Sequence, residues 1–172
     1  MDNIREQFAQ IYDQYIDKIY RFVFLKVSSE EIAQDITSKV FLKAWESFAN
    51  NNGNIQNNGA FLYQIARNNV IDYYREKGRS KLVSSEVSAQ LVDKKVDLHN
   101  KAIISSDVLM VKSAISNLKQ DYQDVIIWHY LDGLDVPEIA LAMDKPAGTV
   151  RVMLHRGLKA LKDELKGKVQ ES

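Results

Sequence analysis

Residues 135–162 read DVPEIALAMDKPAGTVRVMLHRGLKALK, two short helical patterns on either side of a Lys-Pro-Ala-Gly turn. The first opens with Asp135 and carries Glu138 three residues on, so each side chain can satisfy an orphan N–H of the first turn. Pro137 lacks the N–H that would otherwise go unpaired there. In the second pattern Val150, Leu154, Leu158 and Leu161 recur at three or four residues and form a stripe for burial, while Arg151, His155, Arg156, Lys159 and Lys162 fall elsewhere on the wheel. One side packs and the other meets something anionic, which is how a helix-turn-helix reads in sequence.

The chain around this stretch has 172 residues, 45% of them hydrophobic, enough for one ordinary domain or two small ones with real cores. Seven Gly, two Pro and no alternating apolar runs, beside many Leu, Ile, Ala, Lys, Glu and Gln, predict an all-α fold. No cysteine is present, which excludes disulfides, Cys-ligated zinc and a thiol nucleophile and fits a reducing compartment. No amino-terminal apolar run has signal length and no stretch approaches the roughly 18 apolar residues of a membrane span. A cytoplasmic protein without membrane insertion is expected.

Formal net charge is zero, with 23 basic and 23 acidic side chains, so only the distribution of charge points to a partner. Lys145, Arg151, Arg156, Lys159, Lys162, Lys166 and Lys168 face only Asp163 and Glu164 within their stretch. Arg67, Arg75, Lys77, Arg79 and Lys81 face only Asp72 and Glu76. Two basic regions suggest two contacts with one polyanion; solvated helix faces are the alternative.

Upstream, a first helix is expected from Ile4 to Lys26, with Phe8, Tyr12, Tyr15, Ile19, Phe22 and Lys26 stepping by four and three. Ser28 or Ser29 can cap a second, in which Ile32, Ile36, Val40, Ala44 and Phe48 repeat at i+4 and the other face carries Asp35, Ser38, Lys39 and Leu42. Asn50 to Gly59 reads NNNGNIQNNG, a loop that is either functional or a plain connection. A third helix, AFLYQIARNNVIDYYREKGR, buries Leu62, Ile65, Ala66, Val70 and Tyr73 or Tyr74 and ends at Gly78. Its aromatics, Phe61, Tyr63, Tyr73 and Tyr74, alternate with cations and amides, as unstacked bases require; about half of such aromatics belong to a core.

Residues 80–106 show no sustained period and read as a flexible linker, with a helical turn near Glu86 to Leu91. A helix with Val108, Val111, Ile115 and Leu118 inward follows, then one from Asp121 to Leu131 with Tyr122, Val125, Ile126 and Tyr130 inward, closed by Gly133. The expected organisation is two small helical domains, 1–79 and 107–168, the second ending in the helix-turn-helix.

Both halves resemble the group IV (extracytoplasmic-function) branch of the bacterial sigma-70 family of RNA polymerase subunits. DITSKVFLKAW (Asp35 to Trp45) is similar to the family's polymerase clamp-binding helix, and FLYQIARNNVIDYYREKGR (Phe61 to Arg79) to its promoter-melting and minus-ten-reading helix. LKQDYQDVIIWHYLDGLDVPEIALAMDKPAGTVRVMLHRGLKAL is similar to its minus-35-reading domain.

The resemblance implies a transcription initiation factor whose partners are core RNA polymerase, promoter DNA and an anti-sigma factor, with no cofactor. Asp35, Ser38, Lys39 and Leu42 would meet the polymerase. Tyr63, Arg67, Asn68, Asp72, Arg75, Lys77 and Arg79 would serve the minus-ten element. Thr149, Arg151, Val152, His155, Arg156, Lys159 and Lys162 would serve the minus-35 element, Arg156 specifying and Lys162 anchoring. Departures from the family pattern are Ser38 and Lys39 for Gln and an acid, Asp144 for Gly, Pro146 for a capping Ser, and Val152 and Met153 for Ser and Arg. Val152 could touch a thymine methyl in place of the lost donor.

No catalytic constellation appears. His99, His129 and His155 lie far apart without an i+4 partner, so no metal site is expected, and there is no phosphate-cradling glycine loop. The alternative readings are a helix-turn-helix regulator acting without polymerase, which leaves the Phe61 to Arg79 helix unexplained, and a sigma-like interaction module.

Overall fold

A computed structural model describes residues 2–83 and 106–171, with side chains described over 2–79 and 111–167. Two compact units divide at 103/104, and every described element is helical or a connection between helices. The expected turn at Glu86 to Leu91 and most of the expected linker lie outside the described residues, as does the Val108 side chain.

The first unit packs three helices, α1 (Asp2–Val27), α2 (Glu30–Asn50) and α3 (Asn58–Val83). Aromatic rings join α1 to α2: Phe8 lies edge-on to Trp45 at 5.3 Å and tilted against Phe48 at 5.6 Å, and Tyr12 meets Phe41 at 4.9 Å. From Ile19 to Val27 nearly every residue of α1 is buried, including Lys26, so this end is enclosed and not merely laid on a stripe. Part of the enclosure comes from α3, whose Tyr74 hydroxyl donates to the Lys26 carbonyl. Ser28, in the left-handed conformation, turns the corner, and Ser29 caps α2 by accepting from the Ile32 N–H at 3.4 Å.

The connection after α2 is shorter and more ordered than NNNGNIQNNG suggests. It spans residues 51–57, because Asn57 caps α3 by accepting from the Ala60 N–H at 2.8 Å and lets the helix start at Asn58. Within it the Gly53 N–H reaches the Phe48 carbonyl at 2.8 Å and Asn54 that of Asn51 at 3.0 Å. Ile55 lines a small apolar crevice with Phe8, Phe48 and Phe61. At the start of α3 a Cβ on Gly59 would fall 2.7 Å from the Tyr15 hydroxyl oxygen, so any larger residue there would force the Tyr15 ring to shift. The expected stop at Gly78 is corrected: α3 continues through it to Val83. A glycine weakens a helix interior by about 1 kcal/mol and ends it only where the chain must turn, and Gly78 keeps a negative φ.

In the second unit α4 (Ser106–Ile115) leads to α5 (Gln120–Ile126), which runs into a π-helical turn over Ile127–Leu131. The Asp132 N–H reaches back five residues to the Ile127 carbonyl at 3.0 Å, and His129 Nδ1 lies 2.8 Å from the Leu134 carbonyl oxygen. This widened turn corrects one core assignment. Tyr130, expected inward one turn after Ile126, is 52% exposed, while Ile127 and Trp128 are fully buried. Gly133 at φ 75° then turns the chain into α6 (Val136–Met143), and α7 (Ala147–Glu171) follows. Gly157 marks the approach of α5 to α7, a Cβ there falling 3.3 Å from Ile126 Cγ1.

Candidate nucleic-acid interface

The turn that presents α7 is built from local hydrogen bonds. Asp135 caps α6 by accepting from the Glu138 N–H at 2.9 Å. At the other end Asp144 adopts the left-handed conformation (φ 54°, ψ 49°) in the place where glycine is usual, and the Lys145 N–H reaches the Ala140 carbonyl at 3.1 Å. Pro146 stands at the capping position itself, immediately before the helix. The first helical residue is Ala147, and the Pro146 carbonyl accepts from the Val150 N–H at 3.1 Å, so the backbone closes the first turn.

α7 then divides cleanly. Val150, Met153, Leu154, Gly157 and Leu161 are buried, with Leu158 half-buried beside them. Thr149, Arg151, Val152, His155, Arg156, Lys159 and Lys162 are all exposed. At about 100° per residue the exposed seven occupy an arc of about 160°. Five of them are Arg, Lys or His, and none is acidic. Of the two departures in this helix only Val152 alters the exposed face, because Met153 is buried.

On α3 the expected minus-ten residues separate into two groups. Asn68, Asp72, Arg75 and Arg79 are exposed, and Arg67 and Lys77 are half-buried. Asp72 approaches Arg75 at 3.8 Å, and Lys77 Nζ sits 5.8 Å from the centre of the Tyr73 ring. Tyr63 is corrected: it is 0% exposed and meets Phe22 edge-on at 6.1 Å, so it belongs to the core and offers no stacking face. Tyr74 is tied to the Lys26 carbonyl, and burial, helped by neighbouring Tyr73, raises its phenol above the usual range.

On the outer face of α2, Asp35, Ser38, Lys39 and Leu42 are all exposed. Lys39 pairs with Asp35 at 3.0 Å one turn away, both well solvated, and Leu42 is 61% exposed. An exposed pair of this kind contributes little stability, so it leaves the face open to exchange for another partner. Sequence reading missed Gly59 and Asn57, which hold the 51–57 connection beside α3. A dense amide run before a helix was the available signal for the cap. Among the described residues no three His, Asp or Glu side chains gather where a metal ion could sit, and no helix is long and apolar enough to cross a membrane.

A three-helix unit with a basic helix and a second unit ending in a cationic helix-turn-helix define a two-part helical nucleic-acid-binding protein. Residues 11–80 match sigma-70 region 2 and residues 109–161 match sigma-70 region 4. The ECF RNA polymerase sigma factor SigW of Bacillus subtilis is 30% identical over 171 residues, spanning 94% of this chain and 90% of its own length. The ECF sigma factor BldN of Streptomyces coelicolor is 28% identical over 158 residues, which is 91% of this chain and 59% of that protein. In fold the chain is similar to the sigma factor RpoE of Bartonella quintana, solved with the anti-sigma factor NepR. The TM-score there is 0.75 at 23% identity, covering 94% and 98% of the two chains. The chain belongs to the ECF RNA polymerase sigma factors of the sigma-70 family. It is a transcription initiation factor that binds core RNA polymerase and directs it to promoters, with no enzymatic activity of its own, and nothing in these relatives supports a regulator acting without polymerase.

Proposed function

We propose that the labour of promoter recognition is divided among three faces. The α2 face of Asp35, Ser38, Lys39 and Leu42 meets core polymerase, with Leu42 as apolar anchor. The exposed side of α3, with Arg67, Asn68, Asp72, Arg75, Lys77 and Arg79, takes the minus-ten element. Asn68 and the amides of the 51–57 connection offer donors and acceptors to an extruded base's edge, and the cations neutralise phosphates. The exposed arc of α7 enters the major groove at the minus-35 element, Arg151, His155 and Arg156 reaching base edges while Lys159 and Lys162 hold the backbone. The domain spans are 1–79 and 107–168, joined by residues 80–106.

The observation that carries this reading is the division of α7 into one buried and one cationic arc, with all seven expected contact residues on the second. An anti-sigma factor is the expected regulator: RpoE was solved with NepR, and CnrH, a second structure of similar fold (TM-score 0.67), with the cytosolic domain of CnrY. Its site of action is the cytoplasm, where RNA polymerase works. Reconstitution with core polymerase tests the assignment. Transcription from a mapped start that depends on both elements is expected, and transcription indifferent to charge removal along α3 and α7 would overturn it.

A further inference from the structure

The exposed arc of α7 has a middle as well as two margins. Arg151 and Thr149 lie at the margins, Arg156 close to the second, and Val152 lies between them, about 100° from Arg151 and about 60° from Thr149. A helix drawn into a groove by cations on both flanks puts the middle of the arc deepest. In the first two turns the side chain near that middle is branched and apolar, with no polar atom, and 47% exposed, while Lys159 comes near the same line only two turns later. Val152 lies on the exposed arc and not on the packed face, and a β-branched residue is a poor helix former. One turn earlier Gly148 lies within about 40° of the same line. It is exposed, its φ is not left-handed, and a Cβ built there would meet nothing within 4 Å, so neither turn nor packing requires glycine. The two residues leave a shallow apolar notch in a polar, cationic face, where α7 can approach base edges closely.

The major groove presents donors and acceptors at every base pair, and its apolar feature is the C5-methyl of thymine. We infer that the Gly148–Val152 notch seats the methyl group of one thymine of the minus-35 element and fixes base identity at a position Arg156 does not read. This rests on α7 being the minus-35 reader.

The test uses the full chain assembled with core polymerase. Duplexes retained from a library randomised over both promoter elements define the minus-35 preference, and each thymine in it is then replaced singly by deoxyuridine, which removes only the methyl. At one position the replacement weakens binding about fourfold. Val152→Ala abolishes that thymine-to-uracil difference there and nowhere else. Gly148→Ala weakens binding severalfold while leaving the melting temperature of the protein unchanged or higher. A preference blind to every methyl overturns the notch alone, as does a Val152→Ala protein that still separates thymine from uracil, or a Gly148→Ala protein that binds like the parent. Assembly that selects no upstream preference at all overturns the reading of α7 and the notch together.

Discussion

Tyr63 and Arg156 show that a residue's chemistry says what it can bind and its place on a helix says whether anything can reach it. Tyr63 stands among the cations and amides of α3, yet it is fully enclosed against Phe22. Tyr63→Ala is expected to cost about 3–5 kcal/mol in denaturant unfolding, as for other buried aromatics, whereas a DNA-facing ring would leave stability unchanged. Arg156 and Lys162 are both exposed, but Arg156 sits in the third turn of α7, near its entry, and Lys162 two turns later. Arg156→Ala should therefore lose about 1–3 kcal/mol of discrimination at one base pair, while Lys162→Ala weakens binding to all sequences alike and lowers the salt dependence by about one unit of slope. Binding across a panel of minus-35 variants at several salt concentrations separates the two. Tyr74 answers to pH. Its neutral phenol donates to the Lys26 carbonyl, and burial raises its pKa in the folded chain by disfavouring the phenolate. The stability it contributes is full below the ordinary phenol range and lost as pH rises above it. Tyr74→Phe is expected to cost about 1 kcal/mol near neutrality and to flatten the alkaline fall in stability measured by urea titration.

Among the elements, the turn between α6 and α7 concentrates the departures from the family pattern and still closes. Asp144 takes the left-handed conformation because its short polar side chain tolerates it better than most. Asp144→Val should destabilise the full chain by about 1–2 kcal/mol in chemical unfolding, and Asp144→Gly should leave it unchanged or slightly firmer. The α5 segment shows where periodicity fails. A regular helix puts Tyr130 on the face of Ile126, but the π turn adds a residue to the register, and Trp128 takes the inner place. No local signal in IWHYLDGL announces the five-residue hydrogen bond that accompanies the full burial of Trp128. Gly78 misleads for the opposite reason: glycine marks the end of a helix only when the surrounding chain turns there, and α3 runs straight on.

At the scale of the molecule, the two surfaces proposed to contact DNA belong to separate units of one chain. Tethered contacts reinforce each other only when both can engage at once. Inserting five base pairs between the minus-ten and minus-35 elements turns one about half a helical turn from the other, and transcription in the reconstituted system should fall at least tenfold; insertion upstream of both elements should change nothing. The sequence by itself determined the helical class, the capped helix-turn-helix and the cationic arc of α7. Each depends on spacing along one helix, and Asp135, Val150 and Arg156 obey it whatever lies nearby. Only the tertiary structure decided which aromatics of α3 are core, how the 51–57 connection is held, and which residue of the π turn after α5 fills the second unit. Those outcomes turn on contacts between elements: Phe22 against Tyr63, Tyr15 against Gly59, and a widened turn that carries Trp128 inward. Helical period constrains a residue's face, but burial is settled by the neighbours that arrive there.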